Sequence, residues 1–396
     1  MIILTCNVGS TSLKFKLFDM PEGVLLSEGK AERVGSEDDA IYTYINRRTA
    51  FKIYEKGQCI SDYTTGIKRY LSDLTSDHGV LGSISDVAGV VFKCPIADGF
   101  PDTHPVSEEL FQGMENFVAI CGTHNTPTIR AIRLFQSVLP GVPMACAFET
   151  GFHQSIPLER KLWGIPYEWY EKYGIYRRGY HGASHNYISD QIAAIARGPY
   201  RLISCHLGGS SSVCAIQDGK SQDVSWGFSL QSGLPHGYRA GDTDSSLVTY
   251  LLSRGLTMAE INEGLSRKGG MLALSGLSDD MRYIEDAAIA GNERAMLALD
   301  VFCENIIRYV GGFYAEMGGM DYLTFTAGTG ENSPIVREKV CSRLQCFGVK
   351  LDPQRNALGK AAPGGLLSSD DSAVKVYVME TNEELNIARR AYKLLV

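Results

Sequence analysis

One short pattern occurs twice in the chain and constrains the fold more than any other feature. Cys6-Asn7-Val8-Gly9-Ser10-Thr11-Ser12-Leu13 is echoed by Cys205-His206-Leu207-Gly208-Gly209-Ser210-Ser211-Ser212-Val213, with one extra residue in the second copy. Each copy has β-forming flanks: Ile2 to Cys6 and Leu13 to Phe18 around the first, Leu202 to Cys205 and Val213 to Ile216 around the second. The reading is strand, polar turn, strand. A unit of this kind used twice implies an internal duplication and two domains built alike. A chain of 396 residues is also too long for one core to be the natural expectation.

Between and beyond the copies, the spacing predicts helices over 107–120, 187–196, 291–310 and 383–395. Tyr322 to Thr326 reads as a strand running into Ala327-Gly328-Thr329-Gly330-Glu331-Asn332, after which Ser333 as N-cap and Pro334 at the first helical position start another helix. Strands alternating with helices indicate an α/β fold.

The 42 glycines exceed the usual ~7 % by about 14 residues, while only 14 prolines accompany them and no period or polar tract appears. Collagen and low-complexity disorder are thereby excluded, and the surplus is expected at turns and ligand-approaching loops. Lys and Arg number 38 against 45 Asp and Glu, a net charge of −7 with no basic block. Nucleic acid is therefore not the expected partner. No apolar run reaches the ~18 residues that span a bilayer, and Met1 to Thr5 lacks the features of a signal peptide, so no membrane partner is expected either. Ten scattered cysteines without a C-x-x-C pair read as reduced thiols of a cytoplasmic protein.

Glycine and hydroxyl residues at a strand-to-strand turn leave backbone N–H groups free to face a phosphate, which a nearby Lys can neutralise. Gly9, Ser10, Ser12 and Lys14 fit that description, as do Gly208 to Ser212. Two such turns, one per domain, suit a nucleotide in an interdomain cleft; each alone is also an ordinary tight hairpin. No G-x-x-x-x-G-K-[ST], no G-x-G-x-x-G after a strand and no protein-kinase signature is present. In Arg178-Gly179-Tyr180-His181-Gly182-Ala183-Ser184-His185 the two histidines share a helix face, as in a zinc site, but the Glu of H-E-x-x-H is missing. The other reading is that His181 acts with Arg239 to stabilise charge on a transferring phosphoryl group.

These segments carry a family resemblance. Asn7 to Phe15, His124-Asn125, Phe148 to His153, Tyr180 to His185, Cys205 to Gly208, Gly237 to Asp242, Ser275 to Arg282, Phe325 to Ser333 and Thr381 to Leu385, in that order, resemble the acetokinase family of the sugar kinase/actin/Hsp70 superfamily over nearly the whole chain. The resemblance implies an α/β fold of two duplicated actin-like (ribonuclease H-like) domains flanking an interdomain cleft. The N-terminal domain would span 1–148 plus 384–396, and the nucleotide-binding domain 149–383. It implies in-line transfer of the γ-phosphoryl group of ATP to a carboxylate, with Mg²⁺, in a cytoplasmic homodimer. Asn7 and Glu383 would hold the metal, and Ser10, Ser12 and Lys14 would contact phosphate. Glu149, His181 and Arg239 would be catalytic. His206, Leu207, Gly208, Gly209 and Ser210 would form the second phosphate loop. Asp280, Met281 and Arg282 with Gly328, Thr329, Gly330, Glu331 and Asn332 would hold the adenosine of ATP or ADP.

The departures cluster at the acyl end, which would involve Val91, Lys93, His124 and Tyr180. Val91 stands where the family has the Arg that binds the substrate carboxylate, and Lys93, two residues on along the same strand face, is the candidate replacement. An ammonium does not reproduce a bidentate Arg grip. Glu149 replaces a family Asp, Gly209 an Asn, Tyr180 a Phe and Leu230 a Pro. Two readings follow: an active kinase with a changed acyl pocket, or a nucleotide-binding homologue of little activity that acts as a sensor or interaction protein.

Overall fold

The computed structural model describes residues 1–9 and 11–395; Ser10, read above as a phosphate contact, lies outside the described residues. The chain divides into two compact units, Met1–Gly151 together with the stretch from Asn382 onward, and Phe152–Thr381.

The first unit is built on an eight-stranded sheet of order β5-β4-β3-β2-β1-β6-β8-β7. Its strands are β1 (Ile2–Val8), β2 (Ser12–Asp19), β3 (Val24–Glu32), β4 (Ser36–Asn46), β5 (Lys52–Ile60), β6 (Val87–Cys94), β7 (Thr103–Pro105) and β8 (Met144–Phe148). Strands β1 to β5 form an antiparallel meander, while β6 runs parallel to both β1 and β8. β2 alternates: Leu13, Phe15 and Leu17 are buried in the core, whereas Lys14 is exposed and Lys16 half-buried on the opposite face. β6 is apolar almost throughout, as a strand between two parallel neighbours must be when both its faces are covered. One cover is the helix Glu383–Leu395, which buries Leu385, Ile387, Ala388 and Ala391 and packs on β1 and β6.

The second unit holds a five-stranded sheet of order β11-β10-β9-β12-β13, with β9 (Arg201–Leu207), β10 (Ser211–Gln217), β11 (Lys220–Val224), β12 (Tyr322–Thr326) and β13 (Lys375–Val378). β9 to β11 are antiparallel, and β12 is parallel to both β9 and β13. The long helix Glu293–Glu316 is capped by Asn292, whose side chain accepts the Ala295 N–H at 3.0 Å, and buries Phe302, Ile306 and Val310. The order and sense of these five strands match β3-β2-β1-β6-β8 of the first unit, so the duplicated hairpins sit in equivalent places in the two sheets.

Both hairpin turns are shorter than their composition suggests. Asn7 and Val8 pair with Lys14 and Leu13, and His206 and Leu207 pair with Ser212 and Ser211. Ladder pairing with the returning strand overrides the turn preference of Asn. The predicted helix 107–120 is two, Glu108–Glu115 and Val118–Val138, and the segment Ala327–Asn332 is itself helical. Ser333 does cap the helix Pro334–Arg343, accepting the Val336 N–H at 3.1 Å. The first unit extends to Gly151 and resumes at Asn382, so Glu149 and Glu383, expected in the second domain, belong to the first. The reason is local: the Glu149 N–H donates to Cys94 O at 2.8 Å, carrying on from β8, and Glu383 opens the helix that covers β6.

Among the described residues no helix is long and apolar enough to cross a membrane, and all ten cysteines are free thiols.

Candidate functional site

In the first unit three charged side chains converge. Asn7 lies between Lys14 of β2 and Lys93 of β6 in the sheet register, so the three share one face across neighbouring strands. The Lys93 ammonium is 2.7 Å from Glu383 Oε2 and 3.6 Å from Glu149 Oε2, with all three side chains no more than 15 % exposed. The next carboxylate along, Glu384, is paired instead with Lys16 at 3.3 Å. Burial pushes the Glu149 carboxyl up to about 7, with Lys93 opposing and Glu383 adding to the rise. Glu149 Oε1 is buried without a hydrogen-bond partner. Val91 is completely buried and carries no donor, so it cannot replace an Arg. Lys93, the candidate replacement, is held by the two carboxylates. His124 is half-buried on the helix Val118–Val138, beside Asn125, whose amide donates to Met114 O at 2.7 Å and Ile96 O at 3.1 Å. Ser12 and the exposed Lys14 follow the turn that Gly9 N–H closes on Ser12 O at 2.8 Å.

In the second unit eight of the residues expected at the nucleotide meet around one cavity of about 630 Å³: Gly208, Gly209, Asp280, Met281, Arg282, Gly328, Thr329 and Asn332. That volume lies within the range of small-molecule sites. Gly237, also in the lining, donates its N–H to Gly209 O at 2.8 Å. A Cβ on Gly237 would come within 3.0 Å of Asp279 O and 3.2 Å of Gly209 O, so the close approach of these loops requires glycine there. Asp280 caps the helix Met281–Ile289 and chelates the Arg282 guanidinium, which holds its carboxyl below the usual range. Gly330 and Glu331 belong to the same short helix without lining the cavity; Glu331 Oε1 accepts the Ala327 N–H at 3.0 Å.

A second cluster in this unit is built from imidazoles and serines. His181 precedes the helix Gly182–Ile195 with φ of 57°, a left-handed conformation costly for any residue but glycine. Its Nδ1 is hydrogen-bonded to Ser212 Oγ at 2.9 Å, and the same hydroxyl meets His185 Nε2 at 2.8 Å, while His185 Nδ1 meets Ser204 Oγ at 3.0 Å. Both ring nitrogens of His185 are thus engaged by serines, which leaves none for a metal. His181 stacks on His206 at 3.9 Å and stands edge-on to Trp226 at 4.6 Å. Leu207, next to His206, is fully buried in the core of this unit. Arg239 lies over the Trp226 ring at 5.4 Å and donates to Ser210 Oγ. Tyr180 is buried, 5.2 Å from the same indole, and its hydroxyl donates to Phe228 O at 3.1 Å.

Burial keeps several of these imidazoles neutral. It pulls His153 down to about 4, His236 to about 3 with Arg239 adding to the effect, and His185 well below the ordinary value. At His236 the hydrogen bonds agree. The Ser211 N–H donates to His236 Nδ1, so the ring proton is on Nε2 and donates to Ser232 O. His153 Nε2 donates to Tyr180 O at 2.9 Å, a bond that favours the charged ring and is outweighed by burial. Trp226, His236, Glu285 and Phe302 are residues of the second unit's sites that sequence reasoning did not single out; Phe302 lies on the predicted helix 291–310 and His236 directly before the Gly237 to Asp242 segment, and neither place by itself marks a site.

Among the described residues no group of three His, Cys, Asp or Glu could hold a metal by itself. The Asn7 amide oxygen, the Glu383 carboxylate and the unpartnered Glu149 Oε1 are hard oxygen donors of the kind Mg²⁺ takes, and Mg²⁺ at kinase sites completes its shell with phosphate and water.

A family model described as the acetokinase family matches residues 2–389. The chain is 39 % identical over 405 residues to the acetate kinase of Carboxydothermus hydrogenoformans, covering the whole of both. The crystal structure of Porphyromonas gingivalis acetate kinase superposes with a TM-score of 0.88 at 33 % identity, again over both chains in full. That of a propionate kinase from Francisella tularensis does so with a TM-score of 0.89 at 29 % identity, over 98 % of each.

Proposed function

This chain belongs to the acetokinase family, and we propose that it transfers the γ-phosphoryl group of ATP to a short-chain carboxylate, acetate by default, giving an acyl phosphate and ADP. The observation that carries the proposal is the 630 Å³ cavity in which the residues assigned to the nucleotide meet.

The transferred group brings little covalent chemistry for the protein to do, so catalysis is positioning and charge stabilisation. Asp280, Met281 and Arg282 with the segment Gly328–Asn332 take the adenosine. In the turn from His206 to Ser210 the Gly208 N–H is taken by Ser210 O at 3.2 Å, which leaves Gly209 and Ser210 to offer backbone N–H groups to the phosphates. Arg239 and His181 stabilise the charge that develops on the phosphoryl oxygens. In the first unit Ser12 and Lys14 contact phosphate, Asn7 and Glu383 hold Mg²⁺, and Glu149 acts at the reacting carboxylate. The metal, when bound, supplies positive charge for the phosphate oxygens.

Val91 favours a second reading, because the carboxylate finds no Arg there. His124 and Lys93 are then the first unit's groups left for the acyl end, and a carboxylate other than acetate, or little activity at all, follows. Trapping acyl phosphate as the hydroxamate with acetate, propionate and butyrate in turn decides between them. Product with at least one acid is expected; no product from any, alongside saturable ATP binding, would overturn the kinase reading.

Free thiols throughout suit the cytoplasm. A homodimer is favoured by the helix Ser246–Ser253, whose sequence SLVTYLLS is apolar yet buries none of its residues, with Tyr250 61 % exposed. Light scattering reads this directly as twice the 43.3 kDa chain mass.

A further inference from the structure

We propose that Lys93 is an internal counter-ion of the Glu149–Glu383 carboxylate pair and must give way before a divalent cation binds there. The inference rests on the assignment of Glu383 to the metal made above.

Two carboxylates brought together away from water need a cation between them or a proton on one of them. Here the chain supplies its own: Lys93 Nζ stands 2.7 Å from Glu383 Oε2 and 3.6 Å from Glu149 Oε2. Glu384, the other acidic residue in the helix's first turn, is paired with Lys16, so Lys93 is the cation within ion-pair distance of both Glu149 and Glu383, with the Arg390 guanidinium acting on Glu149 from further off. An ammonium gains nothing from the N-terminal end of a helix, where the dipole is positive, so the two carboxylates alone account for its position at the start of Glu383–Leu395. One ammonium engages one oxygen of each carboxylate, Oε2 of Glu383 and Oε2 of Glu149. Glu149 Oε1 is also buried with no hydrogen-bond partner. The cluster therefore retains affinity for more positive charge, but a divalent ion that ligates Glu383 competes with Lys93 for the same oxygen. Lysine suits this exchange, having a compact charge on a flexible four-carbon stem. Lys93 is thus a positioning residue that makes free metal bind weakly and leaves the nucleotide's phosphates to bring it in.

The test is Mn²⁺ binding to the nucleotide-free protein, read by electron paramagnetic resonance without any turnover. Lys93→Met is expected to bind Mn²⁺ at least about tenfold more tightly than wild type, and Lys93→Arg to bind as weakly as wild type. Lys93→Gln, which can still hydrogen-bond both carboxylates, serves if the Met variant does not fold, and should also gain affinity. Unchanged or weaker Mn²⁺ binding in the folded charge-free variant overturns the proposal. Adding Glu383→Gln to Lys93→Met should abolish the gain. If the gain survives, the metal does not sit at Glu383, and the metal assignment falls with the counter-ion. If Glu383→Gln weakens Mn²⁺ binding while Lys93→Met leaves it unchanged, only the counter-ion idea falls.

Discussion

The first unit concentrates formal charge around Lys93, with Glu149 and Glu383 within 3.6 Å of its ammonium, whereas in the second His181 is linked through Ser212 to His185, which burial keeps neutral, and shares the Trp226 ring with the Arg239 guanidinium. The two sheets share one strand order, so the difference is not one of architecture. It follows from what the equivalent strands carry outward. β1, β2 and β6 present Asn7, Lys14 and Lys93, while β9 and β10 present His206 and Ser212. A neutral imidazole–hydroxyl array can stay desolvated at little cost and hold a precise geometry. A lysine–carboxylate cluster stays desolvated only while its charges balance, and is therefore sensitive to an added ion or proton.

If the second unit works by fixed positive charge in a desolvated setting, the largest effect belongs to Arg239. Arg239→Ala should lower kcat roughly 100- to 1,000-fold with little change in the KM for ATP, as expected when a donor to transition-state charge is removed. Steady-state kinetics at saturating carboxylate checks this. A parallel rise in KM would mean that Arg239 binds ground-state nucleotide, and the contrast between the units would then lie in binding rather than catalysis.

Much of this arrangement was legible in the sequence because it is local. The hairpins at Gly9 and Gly208, the cap at Ser333 and the helix from Glu383 all follow from residues within a few positions of one another. The cavity was legible in part: Gly208 sits in the duplicated hairpin turn, while Asp280 and Gly328 follow from the family resemblance alone. His236 and Glu285 complete it from positions beside the readable segments and Phe302 from the predicted helix 291–310, and tertiary packing selects which of them reach the cavity. Lys93 shows the limit most clearly. Its place on the strand face was readable, but its partners come from the end of β8 and from the C-terminal helix, and no spacing in the sequence encodes that meeting.

The serine–histidine array gives an intermediate effect. Ser212 has one hydroxyl proton for two imidazole nitrogens, so it donates to one of His181 and His185 and accepts from the other, which couples their tautomers. Ser212→Ala removes that coupling while leaving the rings packed on Trp226 and His206. A loss in kcat of roughly 10- to 100-fold is expected, the scale of a small misplacement of a catalytic group. Ser212→Thr, which keeps the hydroxyl, should recover most of it. Equal activity in the Ala variant would show that stacking alone orients His181.

The smallest effect separates the two units by proton linkage. Glu149 is raised in the fold from its ordinary 4.5 to about 7, so between these values the folded protein holds the proton and the unfolded chain releases it. Stability from this group is complete below about 4.5 and is lost as pH rises through 7. His153 and His236, lowered from 6.5 to about 4 and about 3, act in the opposite sense. Their contribution is complete above 6.5 and is lost as pH falls through the lowered values. Glu149→Gln should therefore melt a few degrees above wild type at pH 8 and converge with it near pH 5, a difference of up to about 3 kcal/mol. The acid-side loss should be the same in both proteins, because the second unit is untouched. Thermal melts from pH 4 to 9 measure both limbs in one series. A difference between the two proteins that does not change with pH would mean that Glu149 is ionised throughout, with Lys93 fully offsetting its burial.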